Sequence, residues 1–215
     1  MRDATLRKWT YGRPRSLLLA AILSLLAQCP AAAQSPAVQI FESPELRYRV
    51  SLPAGCRHEE GPGTLDAVCS TELDAEKSAG IDAASALVLE VGAERVPEDA
   101  GTPVADLAQR YGEAQFKDEL PEAICGEADK ARVKVGNVRQ VLEETRVTYT
   151  ADVTCPEIKF LGLGERGAMA QFLITPGLRY RLMARALKED FDQRKEAIDA
   201  FFTSFRILPA ETKSP

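Results

Sequence analysis

Apolar and polar residues alternate strictly from Leu46 to Pro53, and this pattern predicts the first strand of the fold. The apolar side chains lie at every second position, with Arg or Ser between them, so they share one face of the strand. Pro53 ends the strand because proline cannot donate to a β-ladder. Residues 40 and 41 predict an earlier strand and residues 43–45 a turn. The N-terminal part of the domain is therefore expected to be a β-hairpin.

Residues 53–80 are rich in Gly, Pro, Asp, Glu and Ser and have little periodicity, which predicts a long loop. The apolar segment 86–91 then predicts a buried strand. A helix is expected from 103 to about 115, with Thr102 as its N-cap and Pro103 as its first residue. Its apolar residues recur at the spacing of one helix face, at Val104, Leu107, Ala108 and Tyr111.

The second half of the chain is rich in β-forming residues and predicts a mostly antiparallel sheet. The expected strands are Val133–Val135, Val138–Leu142, Val147–Cys155, Ile158–Leu161, Ala168–Ile174 and Leu178–Leu187, with turns at Gly136-Asn137 and Pro176-Gly177. The pattern indicates the α+β class, a mostly antiparallel sheet with packed helices.

A final helix follows the last long strand. Asp190 and Gln193 have a spacing like that of a capping box, and the apolar residues form one stripe that would pack on the sheet. That stripe consists of Phe191, Ile198, Phe201, Phe202 and Phe205. Residues 204–209 predict a short closing strand.

The N-terminal segment has the three parts of a secretory signal peptide. Five basic residues precede an apolar stretch at 16–27, and small residues follow up to Ala33, after which we predict cleavage. About a dozen apolar residues are too few for a membrane anchor, which needs roughly 20. The sequence predicts a signal peptide at 1–33, a single domain at 34–209 and a polar tail at 210–215. The protein would be periplasmic in a Gram-negative cell and otherwise secreted.

Cleavage would make the protein strongly acidic. Removal of residues 1–33 leaves 22 Lys+Arg against 31 Asp+Glu, a net charge of −9. A charge of this sign argues against nucleic acid and anionic membranes as partners. We expect no stable membrane insertion after cleavage, and we predict no cofactor.

Four cysteines remain in the cleaved chain, and an even number in an exported protein predicts two disulfides. Three pairings are possible. We favour Cys56 with Cys69 and Cys125 with Cys155, the first closing a Gly- and Pro-rich loop and the second tying a loop to a strand end. A four-cysteine zinc site would need close C-x-x-C pairs, which the sequence lacks.

The order of these elements resembles that of the PsbP-like α/β/α sandwich proteins. The resemblance rests on a hairpin that ends in Tyr48–Pro53, a helix, a run of antiparallel strands, and a last helix that leads into Phe202–Ile207. That family includes photosystem-associated subunits, a Ran-binding nuclear factor and many exported bacterial proteins. The resemblance implies an α/β/α sandwich and a non-catalytic interaction or assembly module.

Residues 162–167 match the G-x-G-x-x-G pattern of dinucleotide-binding sites. Such a site needs a helix directly after the glycines, because the amides at its N-terminus hold the pyrophosphate. Only eight residues separate Gly167 from Pro176, and Ala168–Ile174 predicts a strand. The glycines are therefore interpreted as a hairpin turn.

His58 is the only histidine, and it lies beside Glu59 and Glu60 in the predicted loop between Cys56 and Cys69. The three side chains are weak candidates for a metal site, since they lack the register of a known calcium loop. A hydrolase would need a nucleophile and an orienting acid near His58, and the spacing supplies neither. We interpret the segment as a solvated acidic loop and predict no catalytic residue and no bound metal.

Arg179, Arg181 and Arg185 fall on one face of the strand 178–187, with Met183 between them. In an acidic protein this basic stripe is a candidate site for an acidic protein partner or an anionic ligand. The alternative is the solvated face of a sheet, paired with Glu across the strands or covered by an acidic helix.

The leading hypothesis from the sequence is an exported, non-enzymatic interaction or assembly module. A periplasmic small-ligand or metal-binding protein that uses the region between Cys56 and Cys69 is the first alternative. A hydrolase that uses His58 is the second.

Overall fold

A computed structural model of the protein describes residues 38–69, 86–125, 130–157 and 164–209. The predicted signal peptide, the predicted strand Ile158–Leu161 and the predicted tail 210–215 lie outside the described residues. The described elements are β1 Gln39–Ser43, β2 Tyr48–Leu52, β3 Cys56–Gly61, β4 Thr64–Cys69, β5 Leu87–Arg95, α1 Val104–Arg110, α2 Glu113–Cys125, β6 Lys134–Leu142, β7 Val147–Cys155, β8 Arg166–Thr175, β9 Leu178–Leu187, α3 Lys188–Gln193, α4 Lys195–Ser204 and β10 Arg206–Ile207.

The strands form two antiparallel sheets. The large sheet has the order β3-β4-β5-β9-β8-β7-β6, and the small sheet has the order β1-β2-β10. The predicted N-terminal hairpin is the β1–β2 pair, and the predicted closing strand is β10, which pairs with β2. The α+β class predicted from the sequence is confirmed.

One face of the large sheet packs against the small sheet and against α3 and α4. The rings of Tyr48, Tyr180 and Phe205 lie 5.4 to 6.1 Å apart at the centre of this core. The apolar stripe predicted for the last helix contributes to the same core, and its five residues are all buried.

The other face of the large sheet packs against α1 and α2. Phe116, Leu120 and Ile124 of α2 are buried against apolar residues of β7 and β8. The large sheet is thus the middle layer between two apolar cores, which gives the α/β/α arrangement. None of the described helices is long and apolar enough to cross a membrane.

The prediction of a loop over residues 53–80 is wrong for residues 56–69. Residues 56–69 form the β3–β4 hairpin, in which Cys56 lies directly opposite Cys69. The edge strand β3 shows no alternating pattern because its residues after Cys56 are exposed on both faces, whereas β4 does alternate between buried and exposed residues. Residues 70–80 of the predicted loop lie outside the described residues.

The helical predictions were correct in place and wrong at their ends. Pro103 occupies the N-cap position of α1, where no side chain caps the helix, so Thr102 is not the N-cap. The helical region also continues through α2 to Cys125, although Pro121 lies inside α2 and proline usually breaks a helix. The capping box at Asp190 is absent as well, because α3 begins two residues earlier without a side-chain cap.

Gly136 and Asn137 do not form the predicted turn. They lie within the continuous strand β6, whose register with β7 shifts between Gly136 and Arg139. Asn137 has a φ of 50°, a left-handed conformation that asparagine tolerates better than most residues. The residues that suggested a turn instead form a β-bulge at the edge of the sheet.

The two disulfides join the predicted pairs. Cys56 is bonded to Cys69 across the β3–β4 hairpin, and Cys125 at the end of α2 is bonded to Cys155 at the end of β7. The second bond fixes the helical layer to the sheet. Two disulfides are consistent with an oxidising, extracytoplasmic compartment.

Candidate functional site

The helical layer of α1 and α2 covers only part of its face of the large sheet. The two helices contact β6, β7 and β8, and the surface formed by β9, β5 and β4 continues beyond them. Where the helices end against this exposed part of the sheet, they leave a groove of about 410 Å³. We call it the arginine groove; it is lined by Tyr111, Phe116 and Glu119 from the helices and by Gly92, Glu94, Phe172, Arg179 and Arg181 from the strands.

Arg179 is held at the groove by two contacts. Its Nε lies 3.1 Å from Glu94 Oε1 on β5, and its guanidinium carbon lies 5.0 Å from the centre of the Tyr111 ring. The Arg179 side chain is 34% exposed and Glu94 is 62% exposed. An ion pair this open to solvent contributes little energy, because water screens it. The pairing with Glu94 therefore adds little to stability and leaves the Arg179 guanidinium partly exposed at the groove.

Arg181 lies opposite a glycine and is held by Glu90. Gly92 is its cross-strand partner on β5, and a Cβ at Gly92 would lie 3.7 Å from two of the guanidinium nitrogens. The guanidinium lies along the glycine, and its Nη2 donates a hydrogen bond of 2.6 Å to Glu90 Oε1. Glu90 is only 16% exposed, whereas the Arg181 side chain is 43% exposed. Arg181 is thus anchored on one side and open to the groove on the other.

A buried acid positions the helical wall of the groove. Asp99 is fully buried, accepts a hydrogen bond of 2.6 Å from the Tyr111 hydroxyl, and forms an ion pair with Arg110. Burial and the hydrogen bond to Asp99 raise the pKa of Tyr111. The phenol therefore remains protonated and keeps donating to Asp99, which holds the ring against Arg179.

The inner end of the groove is aromatic. The rings of Phe116 and Phe172 meet edge to face at 4.9 Å, and Phe116 lies 5.5 Å from Tyr149. The Tyr149 hydroxyl donates to the backbone oxygen of Ala108, which ties α1 to the sheet. The groove therefore combines an apolar end with two half-exposed guanidinium groups, an arrangement suited to an amphipathic anion.

The structure divides the basic stripe predicted on β9. Arg179 and Arg181 line the groove and are paired with Glu94 and Glu90, as in the solvated-face alternative, and both remain partly exposed. Arg185 lies beyond the buried Met183 and is not part of the groove.

The other candidate residues do not converge on a site. The β3–β4 register puts His58 and Glu60 on one face of the hairpin, and Glu59 on the other. His58 Nε2 lies 3.6 Å from Glu60 Oε1. No group of three potential metal ligands occurs among the described residues. The last residues of the glycine motif lead directly into strand β8 and not into a helix, while residues 158–163, which include the start of the motif, lie outside the described residues.

Sequence reasoning missed the partners of the arginines. Tyr111 was expected in the apolar face of a helix, but it lies at the helix end with its ring against Arg179. Glu90 and Glu94 lie four residues apart on β5 and therefore on one face of the strand, as Arg179 and Arg181 do on β9. That signal could have indicated charge pairing between the two strands.

No family model matches the sequence, and no curated protein matches it significantly. Solved structures do share its fold. PsbP from the cyanobacterium Synechocystis sp. PCC 6803 is 17% identical with a TM-score of 0.52, and the alignment covers 85% of this chain and 99% of PsbP. LpqN from Mycobacterium tuberculosis is 9% identical with a TM-score of 0.50, over 83% of this chain and 88% of LpqN. The architecture is PsbP-like, as the sequence suggested, and at these identities the likeness concerns the fold alone.

Proposed function

We propose that the protein is an exported, non-catalytic binding module whose arginine groove takes an acidic segment of a partner protein. The observation that supports this proposal is the pair of half-exposed arginines, Arg179 and Arg181, beside an aromatic pocket. The chain without its first 33 residues is acidic, so these guanidiniums are local positive groups on a negative protein. Local charge of this kind favours partner selection and correct orientation.

A place in the cell envelope agrees with this proposal. The two disulfides favour an oxidising compartment, and LpqN, which has the same fold, is described as involved in cell envelope biogenesis. Export itself rests on the predicted signal peptide. Detection of the processed protein in the periplasm or the medium, with its new N-terminus at Gln34, would test that prediction.

A small carboxylate-bearing ligand is the second candidate for the groove. Its volume of about 410 Å³ falls within the size of small-molecule pockets, which is roughly 300 to 1,000 Å³. The polar groups of the groove would fix the carboxylate and the aromatic end would take an apolar tail. A thermal-shift screen with aliphatic and aromatic carboxylates separates this candidate from a peptide partner.

The groove is tested by charge reversal. Arg179→Glu and Arg181→Glu should each weaken binding of a labelled peptide that contains Glu and Phe by about tenfold or more, because each removes a charge-assisted hydrogen bond. Arg139→Glu makes the same charge change at an exposed position on the edge strand β6. An equal loss in Arg139→Glu would show that the peptide responds only to net charge, and unchanged binding in both groove variants would refute the proposal.

A further inference from the structure

Beyond the arginine groove, Arg166 and Arg185 bring two more guanidinium groups to the same face of the large sheet. Arg185 on β9 pairs with Ala168 on β8, and Arg166 lies two residues before Ala168. Residues two apart on a strand share a face, and diagonal neighbours on adjacent strands are about 7–8 Å apart, within reach of long side chains. The two arginines are therefore neighbours.

These two arginines lack the acidic partners that Arg179 and Arg181 have. The Nε and Nη2 atoms of Arg166 are buried and have no hydrogen-bond acceptor. Within the described part of the chain, no acidic side chain forms an ion pair with either Arg166 or Arg185. Burial and the charge of Arg185 lower the pKa of Arg166, so the two groups repel each other in a partly desolvated place. Such a pair is costly for the fold unless a negative charge lies between its members.

We propose that Arg166 and Arg185 form a second binding site, for an oxyanion of the phosphate type. Two guanidiniums offer two positive charges and several N–H donors in planar forks, which match the charge and the oxygens of phosphate or sulfate. A single carboxylate would neutralise only one of them. The buried Met183 lies between Arg181 and Arg185 on β9, so this site is separate from the arginine groove.

Calorimetric titration of the full chain with inorganic phosphate, at constant ionic strength set with chloride, tests the proposal. The wild-type protein should bind phosphate, and Arg166→Gln and Arg185→Gln should each lower the affinity about tenfold or more, since each removes hydrogen bonds to a charged group. Arg139→Gln, at an exposed position on the edge strand β6, is the matched control and should bind phosphate as the wild type does. Equal affinity in all four proteins, or an equal loss in the control, would overturn the proposal.

Stability in chloride distinguishes a ligand site from a structural pair. Removal of either charge relieves repulsion, so Arg166→Gln and Arg185→Gln should unfold at the same urea concentration as the wild type or at a higher one. A lower midpoint in both variants would show that the arginines make stabilising contacts, and this would refute the proposal. Glycerol phosphate tests the source of the oxyanion, because tighter binding than that of phosphate would indicate a phosphoryl group on a larger molecule, and weaker binding would indicate the free ion. In both cases the binding is expected to depend on Arg166 and Arg185.

Discussion

At the scale of single residues, Gly167 is required by the packing of the last helical segment. Gly167 is the second residue of β8, and a Cβ there would lie 2.9 Å from Cγ of Phe191 and 3.0 Å from two more of its carbons. Phe191 is a buried member of the core beneath α3. The last glycine of the G-x-G-x-x-G match therefore allows close contact between a strand and an aromatic ring.

Gly167→Ala should destabilise the protein by about 1–3 kcal/mol, the usual cost of extra volume in a packed core. Urea unfolding followed by circular dichroism measures this loss. Gly136→Ala is the matched control, because a Cβ at Gly136 has no neighbour within 4 Å. If both variants lose the same stability, the contact with Phe191 is not the cause.

Asp99 links the stability of the domain to the shape of the groove. Asp99→Asn keeps the size of the side chain but removes the buried charge that pairs with Arg110. We expect a loss of about 1–3 kcal/mol, since Arg110 loses a charged partner, and weaker peptide binding, since Tyr111 is held less firmly. Tyr111→Phe removes only the hydroxyl and should have the smaller effect on both. Urea unfolding and peptide titration of the two variants provide the comparison, and a larger effect of Tyr111→Phe would contradict this ranking.

At the scale of elements, β5, β7, β8, β9 and the main helical segments could be predicted from the sequence, whereas the β3–β4 hairpin and the continuity of β6 could not. In β7, apolar residues alternate because one face packs on α2, and its predicted bounds match the structure. Residues 57–60 of β3 are all exposed, so apolar and polar residues do not alternate along this strand. At the opposite edge, Asn137 adopts a positive φ inside β6. An edge strand is specified by backbone pairing, which leaves little trace in side-chain type.

The candidate site was predictable only on one of its strands. The alternation of Arg179 and Arg181 is visible in the sequence, but β5 is almost 90 residues earlier and its pairing with β9 depends on the whole sheet order. Tyr111 lies in the short break between α1 and α2. It reaches Arg179 because the sheet continues beyond the two helices. These are consequences of topology, and local patterns do not encode them.

The two disulfides should support different elements. Cys125→Ala with Cys155→Ala frees the C-terminal end of α2 from β7, so backbone amides of α2 should exchange with solvent faster, and the groove should bind peptide more weakly. Cys56→Ala with Cys69→Ala is the matched control, because that bond lies between strands that are already hydrogen-bonded to each other. Hydrogen exchange measured by mass spectrometry compares the variants. Faster exchange of α2 in the control as well would mean that the Cys125–Cys155 bond has no specific local role.

At the scale of the whole molecule, two tyrosines join the small sheet to the large one. Tyr48 on β2 and Tyr180 on β9 are buried with ring centres 6.1 Å apart, and the Tyr180 hydroxyl donates to the backbone oxygen of Leu46. Burial raises the pKa of each tyrosine from 10.0 to about 12. The folded state therefore disfavours ionisation of these phenols, and the unfolded state does not.

This difference predicts a defined loss of stability in alkali. Because the pKa is higher in the folded state, the contribution of each tyrosine is fully present below pH 10 and disappears as the pH rises towards 12. A shift of this size corresponds to roughly 2–3 kcal/mol per tyrosine. The urea midpoint of the wild type should fall steeply across this interval, and Tyr180→Phe, which starts less stable, should show a shallower fall. Tyrosinate absorbance supplies the direct check, since ionisation of all four tyrosines of the cleaved chain near pH 10 while the protein remains folded would contradict the prediction.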